Sequence, residues 1–220
     1  MDLSEQPETA NTPPERAEFL VVGLGASAGG LQALEEFFDE VPEDAGMAFV
    51  VITHLAPGRV SLLPELIARH SRLPVLSIEG ETELLPNRVY VQPSGVTIGI
   101  LNGRLHVFEP PEDGPRPLPI DFFFRCLAQD QKERAVGIVL SGTGTDGTNG
   151  LKEVKAAAGL TMAQDEHTAR YPGMPHSARA AVDLDYVLPP REMARELVLY
   201  ARGPASVSSR RANRWNPPRS

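Results

Sequence analysis

At 220 residues the chain is long enough for one good hydrophobic core and at most two small domains. A net charge of -8 excludes the basic surface that a general nucleic-acid binder needs, and the single Cys126 excludes an intrachain disulfide and a cysteine-rich zinc site. No apolar run reaches transmembrane length and the N-terminus is polar and acidic, unlike a signal peptide, so no membrane insertion and a cytoplasmic location are expected.

Residues 1–17 carry Pro13, Pro14 and several acids with little to bury, and read as a flexible acidic tail. The expected catalytic domain covers 18–201. Its first strand is the apolar run through Phe19-Leu20-Val21-Val22, ending in small residues around Ser27. An amphipathic helix follows to about residue 40, with Leu31, Leu34, Phe37 and Phe38 on its apolar face. Residues 47–53 form a second, almost wholly apolar strand, as expected where both faces are covered. A helix over 61–70 has Leu62, Leu63, Leu66 and Ile67 as its stripe, and 75–78 is a short strand.

The pattern then changes. Residues 88–91 read as a strand, and 96–101 and 104–108 flank Asn102-Gly103, the strongest short hairpin signal. This predicts an antiparallel insertion, placed as a hairpin at one edge of the sheet. Residues 110–119 hold five prolines and read as a surface loop. Helical pattern resumes over 120–131, with Phe123, Phe124 and Leu127 inward and Cys126 on the apolar face. Residues 135–140 are another apolar strand, running into Ser141-Gly-Thr-Gly-Thr-Asp-Gly147. The next helix carries Leu151, Val154 and Ala158 and stops at Gly159. A strand over 160–163, a helix over 174–181, a strand over 186–188 and a closing helix over 191–201 complete the domain. Residues 202–220 are basic and read as a disordered tail. The alternation of apolar strands and helices predicts an α/β fold: a doubly wound, mostly parallel sheet with helices on both faces.

Two motifs overlap at the first turn. Gly23-x-Gly25-x-x-Ala28 fits the dinucleotide fingerprint, which requires an acid at the end of the second strand. That strand ends at His54-Leu55-Ala56-Pro57, so the cofactor reading fails. Gly25-x-Ser27-x-Gly29 fits a nucleophile elbow, where a helix N-terminus favours developing negative charge. The loop 141–147 could nest an anion but lacks the Lys-Ser/Thr ending of a phosphate loop.

In such a sheet, ligands bind beyond the carboxyl ends of the strands. Ser27, His54 and Asp146 all stand there, and hydroxyl, imidazole and carboxylate are the equipment of serine acyl transfer. The order Ser, His, Asp differs from that of α/β-hydrolases, which points to a convergent triad. His176 is the second candidate for the base, and Asp146 also stands where it could cap the helix that follows it.

The motifs bring in a family. Gly25-Ala-Ser-Ala-Gly-Gly30, Thr53-His54-Leu55 with Pro57, residues 84–93 around Arg88-Val-Tyr-Val91, Ser141–Gly147, and Gln164-Asp165-Glu166 with Gly173-Met174-Pro175 together resemble the catalytic domain of the CheB-type protein-glutamate methylesterases over about residues 19–198. The resemblance puts the family's triad on Ser27, His54 and Asp146, with backbone donors at Leu55 and Thr143 as candidates for the oxyanion hole. It implies hydrolysis of glutamyl methyl esters on the cytoplasmic domains of methylated chemoreceptors, with possible deamidation of receptor glutamines, and no metal or cofactor. A receptor methyltransferase or a phosphorelay protein are further implied partners. Thr143 stands where many members have methionine, and Ala28 where threonine is common. Only the short tail precedes the domain, so the expectation is an esterase without its receiver domain, free-standing or part of a larger fusion. The alternative is a catalytically silent docking domain with the same fold.

Overall fold

The computed structural model describes residues 19–54, 61–109 and 118–203. In chain order the elements are β1 (Val21–Ala26), α1 (Gly30–Phe38), β2 (Ala48–Thr53), α2 (Leu63–Ala68), β3 (Val75–Ser77), β4 (Thr82–Glu83), β5 (Arg88–Val91), β6 (Thr97–Leu101), β7 (Arg104–Phe108), α3 (Pro119–Gln131), a 3-10 turn (Lys132–Arg134), β8 (Ala135–Val139), α4 (Thr148–Ala156), β9 (Leu160–Gln164), α5 (Gly173–Ala181), β10 (Tyr186–Leu188) and α6 (Pro190–Arg202). Seven strands form one sheet in the order β10-β9-β8-β1-β2-β5-β3, and every neighbouring pair is parallel.

Two cores flank this sheet. On one face Leu34, Phe37 and Phe38 of α1, Ile67 of α2, and Met193, Ala194 and Leu197 of α6 cover Val22, Leu24, Phe49 and Val51. On the other, α3, α4 and α5 supply Phe123, Phe124, Leu127, Leu151, Val154 and Met174 over Val21, Val50 and Val139. Burial on both sides is what the unbroken apolar runs of β1, β2 and β8 require. The chain builds outward from β1 through β2, then returns to lay β8 on the other side of β1. Strand order therefore reverses between β1 and β8, the crevice where doubly wound sheets gather ligands.

The glycines of β1 have a packing role. A side chain at Gly23 would come 2.9 Å from the rings of Phe123 and Phe124, and one at Gly25 would come 2.3 Å from Ile120 Cγ2. Their absence lets α3 lie directly against β1. The part-match to a dinucleotide fingerprint is thus a helix–strand seam.

Several expectations are corrected. The Asn102-Gly103 hairpin forms, with both residues at positive φ, 52° and 72°. It does not extend the parallel sheet: β7 pairs with β6 and with the two-residue β4 in a separate antiparallel sheet, order β4-β7-β6. Its apolar face, Ile98, Ile100 and Leu105, turns into the second core and so needs no place on the sheet edge. Leu31 stands out in solvent although its helix partners are buried, and Leu62 precedes α2 and is exposed. Helix α4 ends before Ala158, which takes the left-handed cap itself at φ 64°. Gly159 follows because a side chain there would meet the Ala135 carbonyl oxygen at 2.6 Å. Cys126 is half-buried against the second core, and burial raises the pKa of its thiol. Arg202, the first residue of the expected basic tail, closes α6 and pairs with Asp44 at 2.9 Å. The acidic tail, residues 204–220 of the basic tail, most of the proline-rich loop and Leu55 lie outside the described residues. No helix among the described residues is long and apolar enough to cross a membrane.

Candidate active site

Ser27 follows the last residue of β1. Its amide donates to the Ser141 carbonyl at 3.0 Å, its carbonyl accepts from Gly30 N–H at 2.9 Å, and Gly29 makes the turn into α1 at φ 71°. The hydroxyl is thereby fixed between the ends of β1 and β8. Gly142 makes room beside it, since a side chain there would lie 2.9 Å from Ser27 Cβ and still closer to Met174.

His54 leaves the end of β2, the neighbour of β1. Its Nδ1 lies 3.2 Å from Ser27 Oγ and its Nε2 lies 2.6 Å from Asp146 Oδ2. The imidazole side chain is 33% exposed and the carboxylate 1%, so the pair joins an open face to a dry one. A carboxylate accepts from Nε2–H, which leaves the Nδ1 lone pair facing the serine hydroxyl. The serine therefore meets the ring nitrogen next to the main chain. That is the reverse of the assignment in chymotrypsin-type triads, where Nε2 serves the nucleophile.

Asp146 is held mainly by backbone. Oδ1 accepts from Asp121 N–H at 2.8 Å and Gly147 N–H at 2.8 Å, and Oδ2 accepts from Ile120 N–H at 3.1 Å. Ile120 and Asp121 lie in the first turn of α3, whose amides have no intrahelical partners and whose Leu118 cap supplies no side-chain bond. Asp146 thus caps α3, which precedes it by some 25 residues, while α4 begins at Thr148 after Gly147 with no side-chain cap.

Ser141 and Gln164 complete the scaffold. Ser141 Oγ donates to Ala28 O at 2.9 Å and accepts from Tyr171 N–H at 3.0 Å, while its amide donates to Gln164 Oε1 at 2.9 Å. Gly142 N–H donates to the Tyr171 carbonyl at 2.9 Å. These bonds commit the loop's first amides inward, against the anion-nest reading. Thr143 is exposed, and its N–H takes no partner among the described residues. His176 stands on α5 with Nδ1 3.0 Å from Glu166, in a different cluster from Ser27. Among the described residues, no group of three or more His, Cys, Asp and Glu is arranged to hold a metal ion.

The structure thus brings Ser27, His54 and Asp146 together and leaves His176 out. Sequence reasoning missed the amides of Ile120 and Asp121, which carry no side-chain signal, and the roles of Ser141 and Gln164. The opening of the glycine loop and the Gln164-Asp165 segment had marked those two.

This geometry has relatives. A family model described as CheB methylesterase matches residues 22–197. The protein-glutamate methylesterase/protein-glutamine glutaminase 1 of Syntrophus aciditrophicus is 31% identical over 210 residues, covering 90% of this chain and 59% of that protein. The protein-glutamate methylesterase/protein-glutamine glutaminase 2 of Anaeromyxobacter dehalogenans is 37% identical over 189 residues, 84% of this chain and 54% of that one. The chain therefore spans between half and three-fifths of the length of these two curated relatives. Among solved structures, the Thermotoga maritima CheB methylesterase catalytic domain superposes with a TM-score of 0.76 at 29% identity, over 83% of this chain and 99% of that one. Sequence, fold and the meeting of β1, β2 and β8 at one crevice agree, and the chain belongs to the CheB methylesterase family.

Proposed function

We propose that this chain is a serine hydrolase that removes methyl esters from glutamate side chains of chemoreceptors. The observation that carries the reading is the unbroken contact from Ser27 Oγ through both ring nitrogens of His54 to the buried Asp146. The names of the relatives support the methyl ester of a protein glutamate as the substrate. Ser27 Oγ attacks the ester carbonyl as its proton passes to His54 Nδ1. The protonated imidazole, steadied by Asp146, returns that proton to the departing methoxide and methanol leaves. Water then repeats the cycle on the acyl-enzyme and releases a glutamate carboxylate. The same sequence on a glutamine side chain would release ammonia, in keeping with the second half of the relatives' names.

In this reading the tetrahedral oxyanion takes a hydrogen bond from the Thr143 backbone; the other expected donor, Leu55, lies outside the described residues. Thr143 N–H is uncommitted among the described residues, whereas Ser27 N–H and Gly142 N–H are spent on Ser141 and Tyr171. Each such donor is worth about 3–4 kcal/mol at the transition state. The partner is the cytoplasmic signalling region of a methylated receptor, and the site of action is the cytoplasm. The test is methanol release from a methylated receptor signalling fragment by the unaltered chain and by Ser27→Ala. Release by the first, with a loss of about 10⁴-fold or more in the second, is expected. Equal release by a folded Ser27→Ala chain would remove Ser27 as nucleophile.

A further inference from the structure

The segment between β9 and α5 places an arginine beside the nucleophile turn. Tyr171 is bound to the scaffold through both backbone groups: its N–H donates to Ser141 Oγ at 3.0 Å and its carbonyl accepts from Gly142 N–H at 2.9 Å. Its ring and the Cβ of Arg170 close over Gly29, two residues beyond Ser27. A side chain added at Gly29 would lie 2.9 Å from Tyr171 Cδ2 and 2.9 Å from Arg170 Cβ. The Arg170 guanidinium lies over the Tyr171 ring, 5.8 Å from its centroid. Both residues are exposed, and among the described residues Arg170 takes no carboxylate partner. Arg69, Arg72, Arg88, Arg125 and Arg134 share that lack, but the contact with the turn at Gly29 is Arg170's, in a chain whose net charge is -8.

A guanidinium stacked on an aromatic ring keeps its planar edge of donors free, the shape that matches a carboxylate in two parallel hydrogen bonds. Here the ring is tied by main-chain bonds to the loops that hold Ser27, so the cation starts from a fixed place beside the ester site. A hydroxyl nucleophile and its imidazole recognise the ester alone. They carry no charge that would distinguish one glutamyl ester from another by its neighbours.

We infer that Arg170, held on Tyr171, is a specificity-determining residue that selects glutamyl methyl esters flanked by a carboxylate on the same substrate. The inference rests on the esterase reading and adds the charge of the preferred sequence around the ester. Like any partly exposed ion pair, the preference weakens as salt rises.

The experiment uses two synthetic helical peptides, each with one glutamate methyl ester. In one the residues a helical turn before and after the ester are glutamates, and in the other they are glutamines. Methanol release by the unaltered chain, Arg170→Ala, Arg170→Glu and Arg179→Ala gives kcat and KM for each peptide. The unaltered chain is expected to favour the glutamate-flanked peptide by about threefold to tenfold at low salt, chiefly through KM. Arg170→Ala is expected to bring the ratio close to one, and Arg170→Glu to invert it. Arg179→Ala, which removes an exposed arginine elsewhere, is expected to keep it. An unchanged ratio in both Arg170 variants overturns the inference while leaving the esterase standing. Failure of the unaltered chain to hydrolyse either peptide overturns the esterase reading, and the inference with it.

Discussion

Replacing Asp146 by asparagine tests the carboxylate through hydrogen bonds that can be counted. Its two oxygens accept four donors: Asp121 N–H and Gly147 N–H at Oδ1, Ile120 N–H and His54 Nε2–H at Oδ2. An amide must turn one of those acceptor positions into a donor. With NH2 at the Oδ1 position, two buried backbone donors lose their acceptor, at about 1–3 kcal/mol each. With NH2 at the Oδ2 position, only the Ile120 amide is orphaned, and His54 adapts by presenting a lone pair at Nε2. The second arrangement is the cheaper one, so the fold should lose roughly 1–3 kcal/mol, a fall of a few degrees in Tm for a domain of this size. Activity pays separately. A histidine that accepts at Nε2 carries its proton on Nδ1, the nitrogen 3.2 Å from Ser27 Oγ, and cannot take another. Turnover should drop about 10⁴-fold, the scale of the same tautomer error in other serine triads. Methanol release at saturating substrate reads the turnover, and thermal unfolding reads the fold. A folded Asp146→Asn chain within about tenfold of the unaltered turnover would refute the assignment of Asp146 as the group that sets the His54 tautomer.

Two further predictions concern the frame. Ala158 holds a left-handed backbone at φ 64°, which costs an L-residue about 1–2 kcal/mol, so Ala158→Gly should stabilise the chain by roughly 0.5–1 kcal/mol after the added freedom of the unfolded state is counted. A lower denaturation midpoint in that variant would count against the strain. Asp121 is buried, and burial raises its carboxyl pKa above the ordinary 3.8 against the opposing Gly150 N–H bond. The native state then binds that proton more tightly than the unfolded chain does, so this group's contribution to stability falls as pH rises from 3.8 through the raised value. Asp121→Asn keeps an acceptor for Gly150 N–H at 2.7 Å and discards the buried charge. Its Tm should exceed that of the unaltered chain at neutral pH, with the difference closing below pH 3.8. A Tm deficit that is larger at neutral pH than in acid would contradict this.

That Ser27, His54 and Asp146 would meet was legible because each breaks the character of its surroundings: a hydroxyl, an imidazole and a carboxylate, each following an apolar strand. The sheet was legible for the same reason, since strands buried on both faces leave unbroken apolar runs. β4 was not, because two residues, Thr82 and Glu83, are too few to show a period. The hairpin's strands and turn could be read, but not its sheet, which is decided by where Ile98, Ile100 and Leu105 find a core. The grip on Asp146 was hidden for a plainer reason. Its donors are peptide groups, and sequence does not mark which peptide groups will be left unpaired beside a distant carboxylate. The ring orientation of His54 was equally hidden, because composition cannot say from which side a serine will approach.

Helix α3 ends as it begins, on a carboxylate. Its first turn gives amides to Asp146, and its last turn offers Asp130, whose Oδ1 and Oδ2 accept from Asn102 N–H at 2.5 Å and Gly103 N–H at 3.0 Å. A negative charge at a helix C-terminus is unfavourable by itself, and the hairpin turn is what offsets it. The 13 residues of α3 make a rod of about 20 Å, clamped at one end to the hairpin tip and at the other to the carboxylate behind His54. Gly23 and Gly25 of β1 let Ile120, Phe123, Phe124 and Leu127 of that rod lie directly on the strand. The hairpin turn of the side sheet and the carboxylate behind His54 are thus anchored to opposite ends of one helix, so the antiparallel insertion and the crevice share a single strut.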